Sequence, residues 1–417
     1  MDNPYYFKRL KNGIKVILIP MKDINLVNIN VNILNGTINE SKKDIECAHL
    51  IEHLNAQFTS EKYPNAHENN RQINIYGGRT NAFVNNYITG YYIYGLTKYF
   101  DYFFDLILNS YAHFKVDEKI FQKEKNAVLQ ELRNYYNNTS WLKLEESIYN
   151  ILYKNHPYSV TIEQRIKNTK KIDLDHILRY RKKYYGTTNT EIVISGNINV
   201  RKVFHKLNDF FEDYPRINKK VIYPKFNHKL KKLELIHTPM KNKKSSKVYI
   251  FFPFPIIQFD FDFYASKLMK LVLTDNFSSR LYKLRRQHGF IYHISSKTSV
   301  DNLNKNLSYF IIETSTKKEN VREVISIILK EIKTLQNELI TDNEFLLIQN
   351  KIKMYKRKFI MDKNLFTYDS RYSLPYFFNK KVLNFEDEYK RMLKIDKKYI
   401  KKLFNLIEFD KVLVGFT

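Results

Sequence analysis

The chain has 417 residues, 43% hydrophobic and 15% aromatic, with ten Gly, ten Pro and one Cys. On these counts a disulfide framework, any Cys-based zinc site and a low-complexity or collagen-like architecture are not expected, and the length suits two domains. The formal net charge of +27 allows a polyanion as partner, but Lys and Arg are spread along a chain also rich in Asn, Ile, Tyr and Phe. That pattern fits A/T-rich codon usage, and the aromatics fall within apolar strand and helix patterns, so nucleic-acid binding is not expected.

Residues 1–10 carry no apolar signal core, and no apolar run is long enough to span a bilayer. The expectation is a soluble, intracellular protein. Alternation of period two predicts strands at 13–19 and 26–34, then a Gly-Thr turn at Gly36 and Thr37. A helical pattern runs over 41–58, with Ser41 and Asp44 spaced as a capping box. A strand at 85–96 follows the pair Gly77 and Gly78, then helices at 97–112 and 117–137, and a strand at 190–195.

The segment 214–232 contains Pro, is basic and is poorly periodic, and reads as a linker. The order then recurs. A strand at 247–252 leads to a helix at 260–274, strands at 291–298 and 307–313, helices at 320–336 and 342–358, and a last strand at 411–416. The reading is two α+β domains of similar plan, an N-terminal one at 1–213 and a C-terminal one at 233–417.

Residues 49–53 read HLIEH. On a helix His49 and His53 lie one turn apart on one face, so both imidazoles can reach one ion, and Glu52 shares that face. A catalytic zinc needs three protein ligands and an open position. The run EKNAVLQE supplies Glu124 and Glu131, two turns apart on one helix face. One can ligate the ion and the other can hold a ligand. The inverted H-x-x-E-H order is a zinc-peptidase motif.

With LKNGIKVILIP (10–20), GGRTNAFVNNYITGYY (77–92), HPYS (156–159), VISGNIN (193–199) and SSRLYKLRRQHGFIY (278–292), the chain resembles the insulinase/pitrilysin family of zinc metallopeptidases over nearly its whole length. The resemblance implies two homologous domains, each a mainly antiparallel sheet packed with helices, together half of a clamshell. It implies one zinc per chain held by His49, His53 and Glu131. Glu52 would be the general base on the water that zinc activates, and Glu124 would support a ligand. Asn81, Ala82 and Phe83 would bind an extended substrate on an edge strand, and the second domain would lend Arg285 and Tyr292 to catalysis.

The implied activity is endopeptidase cleavage of short or unfolded polypeptides. The alternative is a non-catalytic partner or scaffold subunit of the same fold. Half-length members need a second copy, so a homodimer is expected, with a heterodimer of related subunits as alternative. Cys47 stands where the family often has Gly, and reads as a small core residue rather than a nucleophile.

Overall fold

The computed structural model describes residues 5–138, 141–219, 221, 223, 229–240, 244–361, 364–378, 380, 382 and 384–417. Its strands are β1 (Tyr6–Arg9), β2 (Lys15–Pro20), β3 (Leu26–Ile33), β4 (Arg79–Val84), β5 (Thr89–Leu96), β6 (Thr190–Gly196), β7 (Glu234–His237), β8 (Ser245–Pro253), β9 (Ile291–Ser299), β10 (Tyr309–Lys317) and β11 (Leu413–Phe416). Helices of the first half are α1 (Cys47–Asn55), α2 (Ala66–Ile75), α3 (Phe100–Ala112), α4 (Glu118–Asn138), α5 (Leu142–Leu152), α6 (Ile162–Lys171), α7 (Leu174–Tyr184) and α8 (Val200–Phe210). Those of the second are α9 (Phe261–Leu273), α10 (Lys283–Arg286), α11 (Val321–Asn337), α12 (Asp342–Met361), α13 (Leu365–Phe377), α14 (Phe385–Met392) and α15 (Lys397–Asn405).

One sheet has the order β1-β2-β6-β3-β5-β4 and the other β7-β11-β8-β10-β9. Apart from β1, the two repeat one plan. A parallel pair (β2 with β6, β7 with β11) is followed by three antiparallel pairings. Both sheets are thus mainly antiparallel, and each is packed with helices, which is an α+β architecture.

The compact units do not follow chain order. Residues Met1–Asn138, Val160–Lys225 and Lys363–Val382 form one, and Thr139–Ser159, Phe226–Asp362 and Leu383–Thr417 the other. The first unit therefore takes α13 from the second half of the sequence, and the second unit takes α5 from the first half. Among the described residues of 214–232 there is no helix or strand, and residues 220, 222 and 224–228 of that segment lie outside the described set.

In the first unit β3 shows why a helix from so far away is needed. Its residues Val27, Ile29, Val31 and Ile33 point to one face, and Asn28, Asn30 and Asn32 to the other. All seven are buried. The asparagine face is covered by α13. There Asn28 Nδ2 and Asn30 Nδ2 donate to Asp369 Oδ2 at 2.6 and 2.8 Å. Ser373 donates to Glu191, which also receives Asn32 Nδ2 at 3.4 Å. In the second unit α5 plays the corresponding part, packing Leu144, Ile148 and Leu152 with Phe251, Tyr309, Ile311 and Leu413. The opposite face of that sheet buries a larger core, including Phe252, Phe310, Met269, Ile328 and Phe404.

Two local expectations are corrected. The strand expected at 85–96 is a hairpin, with β4 and β5 joined through 85–88. Asn85 Oδ1 accepts the backbone N–H groups of Tyr87 and Ile88, both at 2.9 Å, and this side-chain turn ends the pairing. The helix expected over 41–58 is shorter, running from Cys47 to Asn55. Ser41 does bond Asp44, at 2.7 Å, but within a turn ahead of the helix.

Candidate metal centre

The buried carboxyl of Glu40 caps the start of α1. It accepts the backbone N–H of Ala48 at 2.8 Å and of Glu46 at 3.2 Å, two groups near a helix start that lack intrahelical partners. Burial, and next the Glu46 carboxylate, hold Glu40 well above the usual carboxylate range. The residue flanking α1 is Glu46, whose φ of 78° is left-handed. This is the position that favours glycine, one residue ahead of the Cys47 substitution noted in the sequence.

On α1, His49 and His53 stand one turn apart with ring centroids 5.0 Å from each other. Each presents one nitrogen to a carboxylate. His49 Nδ1 lies 2.9 Å from Glu46 Oε2, and His53 Nδ1 lies 3.3 Å from Glu124 Oε2. An ionised carboxylate only accepts hydrogen bonds, so in the neutral tautomer that donates from Nδ1 to Glu46 or Glu124 each Nε2 keeps a lone pair for an ion. Both Nε2 atoms face Glu131 on α4, at 3.4 Å from Oε2 for His49 and 3.6 Å from Oε1 for His53. One donor atom from each of the three residues lies within 4.8 Å of the others.

A tetrahedral zinc with nitrogen and oxygen donors at about 2.0–2.2 Å holds those donors roughly 3.3 Å apart, so His49, His53 and Glu131 fit a zinc ion with little movement. Glu52 stands beside them, its Oε2 3.9 Å from His49 Nε2 and 3.8 Å from His53 Nε2.

The electrostatics separate Glu52 from Glu124 and Glu46. Burial raises Glu52 above its ordinary value, and the two histidines only partly offset this. Glu124 is buried too, but the hydrogen bond from His53 and the Lys123 ammonium outweigh burial and hold it low. Glu46 is likewise held low against burial by His49 and Arg165. His53 is raised, since Glu124, Glu52 and Glu131 together overcome the effect of burial.

The structure thus brings His49, Glu52, His53, Glu124 and Glu131 together. Asn81, Ala82 and Phe83 lie on β4, which pairs only with β5 and forms the edge of its sheet. Arg285 and Tyr292 belong to the other unit, where the guanidinium lies 5.1 Å from the centre of the Tyr292 ring and Tyr292 is 82% exposed. Cys47 is buried, and burial with nearby Glu40, Asp44 and Glu46 pushes its thiol up, so it is not an activated nucleophile. The residues not foreseen are Glu40, Glu46 and Arg165, the last of which donates to Glu46 from α6. Glu46 lies three residues before His49, which alone hints at a helical neighbour, but Arg165 is 119 residues away in sequence.

The arrangement is thus a mixed sheet with an edge strand, an H-x-x-E-H helix against it and an acid from a second helix. The model for the insulinase family, peptidase family M16, matches residues 15–165, and that for the peptidase M16 inactive domain matches residues 171–352. The chain belongs to the insulinase family of peptidases.

It is 28% identical over 214 residues to the zinc protease PqqE of Helicobacter pylori, a match covering 51% of this chain and 48% of that protein. The chain therefore spans about half the length of that relative in this match. It is 23% identical over 336 residues to the uncharacterized zinc protease YmxG of Bacillus subtilis, covering 80% and 79%. A crystal structure of a protease from Helicobacter pylori superposes with a TM-score of 0.84 over 99% of both chains at 19% identity, a likeness of fold. No helix among the described residues is long and apolar enough to cross a membrane.

Proposed function

We propose that this chain is a zinc endopeptidase that hydrolyses short or unfolded polypeptides. The observation that carries this reading is the convergence of His49 Nε2, His53 Nε2 and Glu131 beside the partly desolvated Glu52. His49, His53 and Glu131 would hold one zinc per chain. Zinc held there supplies a Lewis acid for the scissile carbonyl and makes water a nucleophile near neutral pH.

Glu52 takes the proton of the attacking water and delivers it to the leaving amine, and its raised pKa brings it closer to the range where both transfers are efficient. Glu46 and Glu124 keep the imidazole protons on Nδ1 and so fix which nitrogen faces the ion.

The outer edge of β4 pairs with no strand among the described residues, and Asn81, Ala82 and Phe83 are proposed to bind the substrate there as an added strand. Such pairing reads the backbone, so it selects extended segments rather than folded domains. Arg285 and Tyr292 are proposed to anchor the substrate or stabilise the oxyanion, the one as a cation and the other through its hydroxyl. The active species is proposed to be a homodimer.

The test is digestion of a mixed peptide library read by mass spectrometry, with wild type, Glu52→Gln and a chelator-treated sample side by side. Cuts should vanish in both controls, while Glu52→Gln keeps its zinc. A zinc-loaded wild type that leaves every peptide intact would refute the reading of a self-sufficient peptidase and favour a non-catalytic subunit. Sedimentation of the same preparation should show twice the 50.3 kDa chain mass. Full activity in a monomer would overturn the dimer.

A further inference from the structure

A second set of donor atoms converges at the start of α1 and shares no residue with the first. His176, in the first turn of α7, places its Nε2 3.0 Å from Asp44 Oδ1 and 3.8 Å from Cys47 Sγ. One donor atom from each of the three lies within 4.8 Å of the others. A tetrahedral zinc with sulfur at about 2.3 Å and nitrogen or oxygen at about 2.0–2.2 Å spaces its donors roughly 3.3–3.6 Å apart. The two measured distances bracket that spacing.

The three side chains are also held in place independently. Asp44 receives Ser41 Oγ on its other oxygen, at 2.7 Å, which leaves Oδ1 toward His176, and Lys183 Nζ stands 4.0 Å from that same outer oxygen. The backbone of His176 is fixed by the cap of its helix, Asp173 Oδ1, at 2.7 Å. Cys47 is fully buried, whereas Asp44 and His176 keep side-chain exposures of 15% and 24%, so an ion has a way in and a solvent molecule could complete its coordination. A sulfur, a nitrogen and one carboxylate oxygen suit a soft or borderline ion such as zinc and not magnesium or calcium, which prefer oxygen.

We propose that Asp44, Cys47 and His176 form a second site for a sulfur-binding divalent ion, zinc by its donor set, which ties α7 to the turn that leads into the motif helix. This inference stands apart from the peptidase reading, because the His49, His53 and Glu131 site contains no sulfur.

The test uses the full chain, stripped of metal and titrated with cobalt(II). The readouts are bound metal per chain after dialysis and the near-ultraviolet sulfur-to-cobalt charge-transfer band. Wild type should bind two ions and show the band. The double variant His49→Ala/His53→Ala should bind one ion and keep the band. Cys47→Ser and His176→Asn should each lose the band and one equivalent while retaining the other ion. His176→Asn, at a partly exposed position, serves if the buried Cys47→Ser fails to fold. One ion and no band in wild type would overturn the proposal, even if the protein cleaves peptides. A band without any peptide cleavage would uphold it and refute the peptidase reading instead.

Discussion

Replacing Glu46 by glycine tests how the metal site is oriented, because backbone and side chain pull in opposite directions there. The residue sits at φ 78°, ψ 0°, a left-handed conformation that disfavours a non-glycine residue by about 1 kcal/mol. It is nonetheless buried, with its two oxygens shared between His49 Nδ1 and Arg165. Glu46→Gly relieves the backbone strain by about 1 kcal/mol and removes a charged hydrogen bond to Arg165, typically ~1.5–3 kcal/mol.

The net loss of stability is therefore small, about 0.5–2 kcal/mol by difference of those two figures. The metal should respond more strongly. Loss of a carboxylate behind a ligating histidine typically weakens metal binding by about 10–100-fold, or ~1.4–2.7 kcal/mol. Glu46→Gln keeps an acceptor for His49 and should lose less affinity while retaining the strain. The assay is zinc competition against a chromophoric chelator, with denaturant unfolding of the metal-free proteins as control. A Glu46→Gly protein that holds zinc as tightly as wild type would show that α1 alone orients His49, and the reasoning would be wrong.

Glu131→Gln should weaken zinc and cleavage together, measured by the same chelator competition and by peptide turnover. Unchanged affinity would exclude Glu131 as a ligand. Tyr292→Phe should lower kcat by about 10-fold or more if its hydroxyl serves the oxyanion, with zinc content unchanged. A variant with wild-type turnover removes Tyr292 from the chemistry.

The layer under α13 predicts a pH dependence of stability. Burial pushes Asp369 up to about 7 and Glu191 up to about 8, with Lys15 of β2 the nearby cation, itself lowered to about 8 by burial. The folded protein therefore binds more protons than the unfolded chain between about pH 4 and these values. The contribution of the two acids is complete below about pH 4 and is lost as pH rises through about 7 and then about 8. Denaturant midpoints should fall across that window, and Asp369→Asn should flatten the lower part of the fall. A midpoint that rises from pH 5 to 7 in wild type would contradict the assignment.

What could be read from residues 49–53 depends only on the helical period. Four residues bring His49 and His53 to one face whatever the helix packs against, and the same holds for Glu124 and Glu131 seven apart. Part of the order of strands and helices was legible for the same reason, since periods of two and 3.6 are local, but α2, α5–α8 and α13–α15 were not anticipated.

Tertiary structure decided the rest. Alternation in LVNINVNI reads as a strand with one wet face, yet Asn28, Asn30 and Asn32 are buried under a helix more than 330 residues away, which carries Pro375 within an aromatic, weakly periodic sequence. The capping role of Glu40, the left-handed Glu46 and its bond to Arg165 depend likewise on where α1 and α6 come to rest. Period and capping preference are properties of neighbours along the chain, whereas a buried polar group is stable only beside a partner that folding delivers from elsewhere.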